Sequence, residues 1–147
     1  MNLAYPCCPF SGSGPEVGMS STSDECKQFV GQYLQALSGH RKTPELVDRF
    51  VADPHLRTHI QEVEGAFPEY ELIAEDLIAE GDRVAMRGLF RGVHRGPFAG
   101  IPATGASVSA PLMIVYRISH NRIVEHWMQF DGAGLVAQLQ RAVAAPA

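Results

Sequence analysis

The feature that most limits what this chain can fold into is a change of hydrophobic period at Pro68. Upstream of it apolar residues return every three or four positions, and downstream they alternate. Cys26, Phe29, Val30, Tyr33, Leu34 and Leu37 form one stripe behind the capping box Thr22-x-x-Glu25, and Gly39 ends the pattern. Thr43-Pro44 opens a second, short helix carrying Leu46, Val47 and Phe50 on one side. Asp53-Pro54 supplies the cap and first turn of a third, with Leu56, Ile60, Val63 and Phe67 in one stripe.

Beyond Pro68 the alternation predicts strands over residues 70–79, 83–94, 107–119 and 122–130, with Gly81-Asp82 and His120-Asn121 as tight turns. Leu135, Val136, Leu139 and Val143 then give a terminal helix. Helices segregated from an antiparallel meander make this an α+β domain. With 147 residues, 46% of them apolar, the chain has material for one ordinary core. That domain is expected over residues 21–147. Residues 1–20, interrupted by Pro6, Pro9, Pro15, Gly12, Gly14 and Gly18, read as a flexible tail, or as a strap on a dimer partner, with Met19 as an alternative start.

The remaining composition excludes several classes of function. Twelve basic against 16 acidic residues give a formal charge of −4, so no basic surface for nucleic acid is expected. No apolar run approaches the roughly 20 residues of a spanning helix, and no leader pattern opens the chain. A cytoplasmic protein without membrane contact is therefore expected. Cys7, Cys8 and Cys26 are too few and too clustered for structural zinc or a disulfide framework. The glycine-rich loop 95–106 lacks the strand–loop–helix context and Lys-Ser/Thr ending of a phosphate cradle. Phe98 and Ile101 on that loop suit either a flap over a cavity or a plug in the core.

The chemistry is expected on the apolar parity of the sheet. His94 shares that parity with Val84, Met86 and Phe90, and His126 shares it with Val124, Met128 and Phe130. Two imidazoles on one apolar wall are candidates for acid–base work, because neutral imidazole both accepts and donates a proton and has a reference pKa of about 6.5. Each ring also suits a core position bonded to a backbone carbonyl. No third strong ligand shares the face, so no metal is expected. His59 sits at the edge of its helix stripe. Asp131 is placed to cap the last helix, and Trp127 falls on the opposite parity, against a neighbouring subunit or the final helix. Asp76 shares a parity with Leu72, Ala74 and Ile78, which makes it either a general-base candidate or a solvated strand end.

Several segments in combination resemble the SnoaL-like polyketide cyclases of the nuclear-transport-factor-2-like superfamily. They are Phe67-Pro68, the run 75–84, Gly92-Val93-His94-Arg95-Gly96 with Gly100-Ile101-Pro102-Ala103-Thr104-Gly105, and Arg122-Ile123-Val124-Glu125-His126-Trp127 ahead of Gln138-Leu139. The resemblance spans roughly residues 25–140. It implies a cone-shaped α+β barrel with helices against the concave side of a curved antiparallel sheet, an internal pocket, and a homodimer. It also implies an intramolecular aldol condensation without metal or cofactor, with a pocket aspartate as acid–base. In register with the last strand, that aspartate position holds Met128, and the matched polar positions on the preceding strand hold Leu112 and Ile114. The expected pocket thus keeps His126 and His94 as catalytic candidates without a carboxylate. Met128, Phe130, Leu112, Ile114, Met86, Phe90 and Tyr33 are its expected binding wall. The short link between Phe50 and Phe67 implies a smaller or more open cavity than a tetracyclic ligand needs. The ligand expected from these residues is a small, mostly apolar, oxygen-bearing molecule, either turned over or merely carried.

Overall fold

A computed structural model describes residues 22–145; the expected tail, with Cys7, Cys8 and Met19, lies outside the described residues. Three helices come first: α1 (Thr22–Leu37), α2 (Pro44–Phe50) and α3 (Pro54–Ala66). Four strands follow, β1 (Glu71–Glu80), β2 (Arg83–Val93), β3 (Ser107–Ser119) and β4 (Arg122–Phe130), and then α4 (Gly132–Ala144). The strands form one antiparallel sheet in the order β1-β2-β3-β4. This is the α+β architecture that the change of period predicts. The sheet is not closed into a barrel: β1 and β4 are its two edges.

Local chemistry sets the element ends. Thr43 accepts the Leu46 amide at 3.2 Å to start α2, and Asp53 accepts the His55 amide at 2.9 Å to start α3, each ahead of a proline. Asp131 caps α4 by accepting the Gly134 amide at 2.9 Å. The β3–β4 turn places His120 and Asn121 at φ of 51° and 56°, the left-handed pair that a two-residue hairpin needs.

The core lies between the helices and the inner face of the sheet. β3 alternates along its length, burying Val108, Ala110, Leu112, Ile114, Tyr116 and Ile118 against α1 and α3 residues such as Val30, Leu34 and Ile60. At one corner Lys42, almost fully buried, donates to the carbonyls of His40 and Tyr70 at 2.9 and 2.8 Å. Its ammonium also lies 3.5 Å from Glu64 and over the Tyr70 ring. Burial pushes the Lys42 ammonium below its ordinary pKa, against the pull of Glu64.

Strand β1 departs from the sequence expectation. A bulge between Ala74 and Asp76 shifts its register. Everything beyond the bulge changes face, so Leu77 and Ala79 pack toward the core while Ile78 is exposed. Asp76 therefore lies on the outer face, 2.7 Å from the Arg87 guanidinium, and has no place in the interior.

Candidate functional site

The backbone brings the start of α3 to the last strand. Val51 bridges to Ile123, and the amides of Ala52 and Asp53 both donate to the Ile123 carbonyl, at 2.8 and 3.0 Å. Asp53 is buried by this docking. One carboxylate oxygen, Oδ1, caps α3; the other, Oδ2, accepts a hydrogen bond from Nδ1 of His126 at 2.7 Å. A carboxylate only accepts, so the proton of this pair sits on Nδ1, and Nε2 of the neutral ring carries the lone pair. Burial would raise the Asp53 pKa, but the His126 ring and the His55 and Leu56 amides outweigh it and hold the carboxyl below its ordinary value. An ionised, buried carboxylate thus orients an imidazole.

Between the helices and the sheet is a narrow apolar cavity of about 70 Å³; neither His126 nor Asp53 is among the residues that line it, but their neighbours are. Tyr116, the cross-strand partner of His126, lines it, as does Met128, two residues further along the same face of β4. His59 of α3 lines it too. Burial holds His59 below its ordinary pKa, and charge on His126 acts in the same sense against Glu62. The two rings are therefore near enough to act on each other electrostatically. Phe98 from the glycine-rich loop completes one wall, edge-on to Phe67 at 5.3 Å.

The family model for SnoaL-like polyketide cyclases matches residues 27–139. The chain belongs to that family. Solved structures with this SnoaL-like fold include AclR, a proposed hydroxylase from Streptomyces galilaeus, at 24% identity and a TM-score of 0.69 over 83% of this chain and 85% of that one. A proposed polyketide cyclase from Acidithiobacillus ferrooxidans aligns at 25% identity with a TM-score of 0.69, covering 84% and 99% of the two chains. TsrD from Streptomyces laurentii aligns at 27% and 0.64, covering 76% and 95%. No curated protein matches the chain.

Within this SnoaL-like domain the residues expected in the binding wall divide. Tyr33, Phe90, Leu112, Ile114, Met128 and Phe130 all line the cavity, whereas Met86 is buried on the inner face without reaching it. The two imidazoles are not brought together. His94 is fully buried, outside the cavity lining, against the Phe67 ring at 5.4 Å. Its Nδ1 accepts the Thr104 amide at 3.2 Å, and its backbone pairs with Ala106 and Gly105, so it fastens the base of the 95–106 loop. Trp127 stands half-exposed on the outer face with the Arg83 guanidinium 5.2 Å over its ring.

The expectation that no acid stands beside the imidazoles is overturned by Asp53. Its cap role was visible from Asp53-Pro54, but a cap uses one oxygen. The second became available to His126 only because α3 docks on β4, and no local spacing encodes a contact 73 residues apart. Tyr116 was also missed. It is one more apolar-parity residue in a strand, and only its orphaned hydroxyl sets it apart.

Proposed function

We propose that this SnoaL-like protein takes a small, mostly apolar, oxygen-bearing molecule into the cavity and that His126 exchanges a proton with it, without metal or cofactor. The carrying observation is the 2.7 Å His126–Asp53 hydrogen bond, on the same sheet face as the cavity-lining Tyr116 and Met128. Asp53 fixes the tautomer and orientation of the ring and stabilises its protonated form, and Nε2 is the base for a hydrogen alpha to a carbonyl. Met128, where the resemblance places an aspartate, then contributes apolar wall, and Asp53 supplies negative charge from the other side through the ring. His94 serves this reading indirectly, by holding the loop that carries Phe98. Limited cavity volume favours one- or two-ring ligands over a tetracycle.

The test needs no knowledge of the natural substrate. Hydrogen–deuterium exchange alpha to the carbonyl of 1-indanone in D2O, followed by proton NMR, should be accelerated by the protein, with a limb in the imidazole range. His126→Ala should remove both the acceleration and the limb. Binding without exchange would favour the carrier reading, which the apolar Met128 supports.

The same reading retains a homodimer and a cytoplasmic location. No helix among the described residues is long and apolar enough to cross a membrane. Support for a second copy comes from the outer sheet face. Ile78, Ala85, Val115 and Trp127 are consecutive cross-strand partners there. The ion pairs Arg87–Glu75 and Arg117–Glu125 flank them with charges of both signs, a self-complementary border.

A further inference from the structure

Tyr116 has no exposed surface and lines the cavity, yet its hydroxyl has no hydrogen-bond partner among the described residues. Buried hydroxyls are ordinarily paired, so an orphan beside open volume points to a partner that arrives from outside the fold. The ring itself is firmly held. Tyr33 meets it edge-on at 5.7 Å, and Ile114 and Ile118 flank it on the same face of β3. The Tyr33 hydroxyl is the nearest polar group and acts on the Tyr116 hydroxyl as a weak hydrogen-bonding neighbour, but their geometry falls short of a full hydrogen bond.

The register supplies the second element. Tyr116 and His126 are directly opposed residues on β3 and β4. Opposed residues of an antiparallel pair lie side by side on one face, their Cα atoms about 4.5–5.5 Å apart. The Tyr116 side chain thus leaves the sheet on the same face as the imidazole that Asp53 orients, and its hydroxyl reaches past it toward Tyr33 and Tyr70.

We propose that the Tyr116 hydroxyl is the polar anchor of the cavity and donates to the carbonyl oxygen of a small, otherwise apolar ketone bearing an alpha hydrogen. This deepens the functional reading above and rests on it. When the Cα–H bond breaks, the proton goes to Nε2 of His126 and the electron pair moves onto the carbonyl oxygen. The Tyr116 hydrogen bond then holds the resulting enolate, and reprotonation from His126 at carbon restores both partners. A donor aimed at an oxygen that gains charge contributes more in the transition state than in the ground state. Burial, followed by the neighbouring Tyr33 and Tyr70, keeps the Tyr116 hydroxyl protonated far above neutrality, so it remains a donor throughout the working range.

The experiment compares wild type with Tyr116→Phe, using 1-indanone labelled with carbon-13 at the carbonyl and its hydrocarbon counterpart indane. The expected result is that indanone binds about 5- to 10-fold more weakly to the variant, while indane binds both proteins equally. The infrared carbonyl stretch of bound indanone should be lowered in wild type and return toward its apolar-solvent value in the variant. Alpha-deuterium exchange should fall about 100-fold or more. The ligand-free variant should melt no lower than wild type, because the lost hydroxyl had no partner in the fold.

If both probes bind both proteins alike and the carbonyl stretch does not move, the anchor is overturned while the cavity reading stands. If neither probe binds, both fall. A lower melting temperature for the ligand-free variant would reveal an internal partner for the hydroxyl and would likewise overturn the anchor.

Discussion

Asp53→Asn separates two tasks that one side chain performs. Asparagine caps helices about as well as aspartate, so α3 should keep its start and stability should change by less than about 1 kcal/mol near neutrality. The amide cannot supply the negative charge that stabilises a protonated His126, so alpha-proton exchange should fall about 10-fold or more while ligand binding holds. Asp53→Ala removes both functions and should cost about 1–3 kcal/mol in urea unfolding. An acid limb distinguishes the two forms further. The folded Asp53 pKa is depressed, so the unfolded chain binds more protons in that range. Its contribution is complete above the ordinary carboxyl pKa and is lost as pH falls below about 4 through the lower folded value. Wild type should therefore lose stability more steeply than Asp53→Asn over that interval, and parallel urea midpoints in the two proteins would remove the pairing from the account.

At the scale of elements, the glycine-rich loop depends on two attachments. Gly96 passes so close to the Gly65 carbonyl that a Cβ there would collide with backbone, and the Arg95 and Gly96 amides both donate to Ala66 at 2.9 and 3.1 Å. The second attachment is His94 to Thr104. Gly96→Ala should destabilise by about 1–3 kcal/mol, because neither backbone segment can yield cheaply. His94→Phe should keep the stack on Phe67 but free the Thr104 amide, raising its hydrogen-exchange rate and loosening the Phe98 wall before the rest of the fold responds. Much of this level was legible in the sequence. Strands β2, β3 and β4 follow their alternation to within a residue, and the proline-flanked caps of α2 and α3 stand where Thr43 and Asp53 announce them. The bulge in β1 was not legible. A single unpaired residue at Glu75 inverts every later parity, and Glu-Asp in a strand reads as well in one register as in the other. His94 illustrates the same limit: parity gave its face, and the loop that closes on its Nδ1 gave its role.

For the whole molecule, the decisive question is what the outer sheet face meets. Trp127 is 47% exposed, Met113 59% and Ile78 69%, with β3 at the centre of that surface. Scattered apolar residues need no partner, but here they join across all four strands within a border of paired charges. A second copy seated on this face would cover Trp127 and desolvate the Arg83 guanidinium stacked on it. Light scattering behind size exclusion should then give a dimer at micromolar concentration. Trp127→Glu should shift it to monomer, since a carboxylate at the centre of a two-fold contact meets its own copy. The cavity lies on the opposite side of the sheet, so monomeric Trp127→Glu should still bind 1-indanone. A variant that stayed dimeric, with unchanged tryptophan fluorescence in its Met113→Glu counterpart on dilution, would move the interface off the sheet. The two faces thus carry separable tasks, and the alternation of β3 and β4 assigns residues to each. Even positions from Leu112 to Tyr116 build the cavity, and odd positions from Met113 to Arg117 build the outer face on which a second copy is expected.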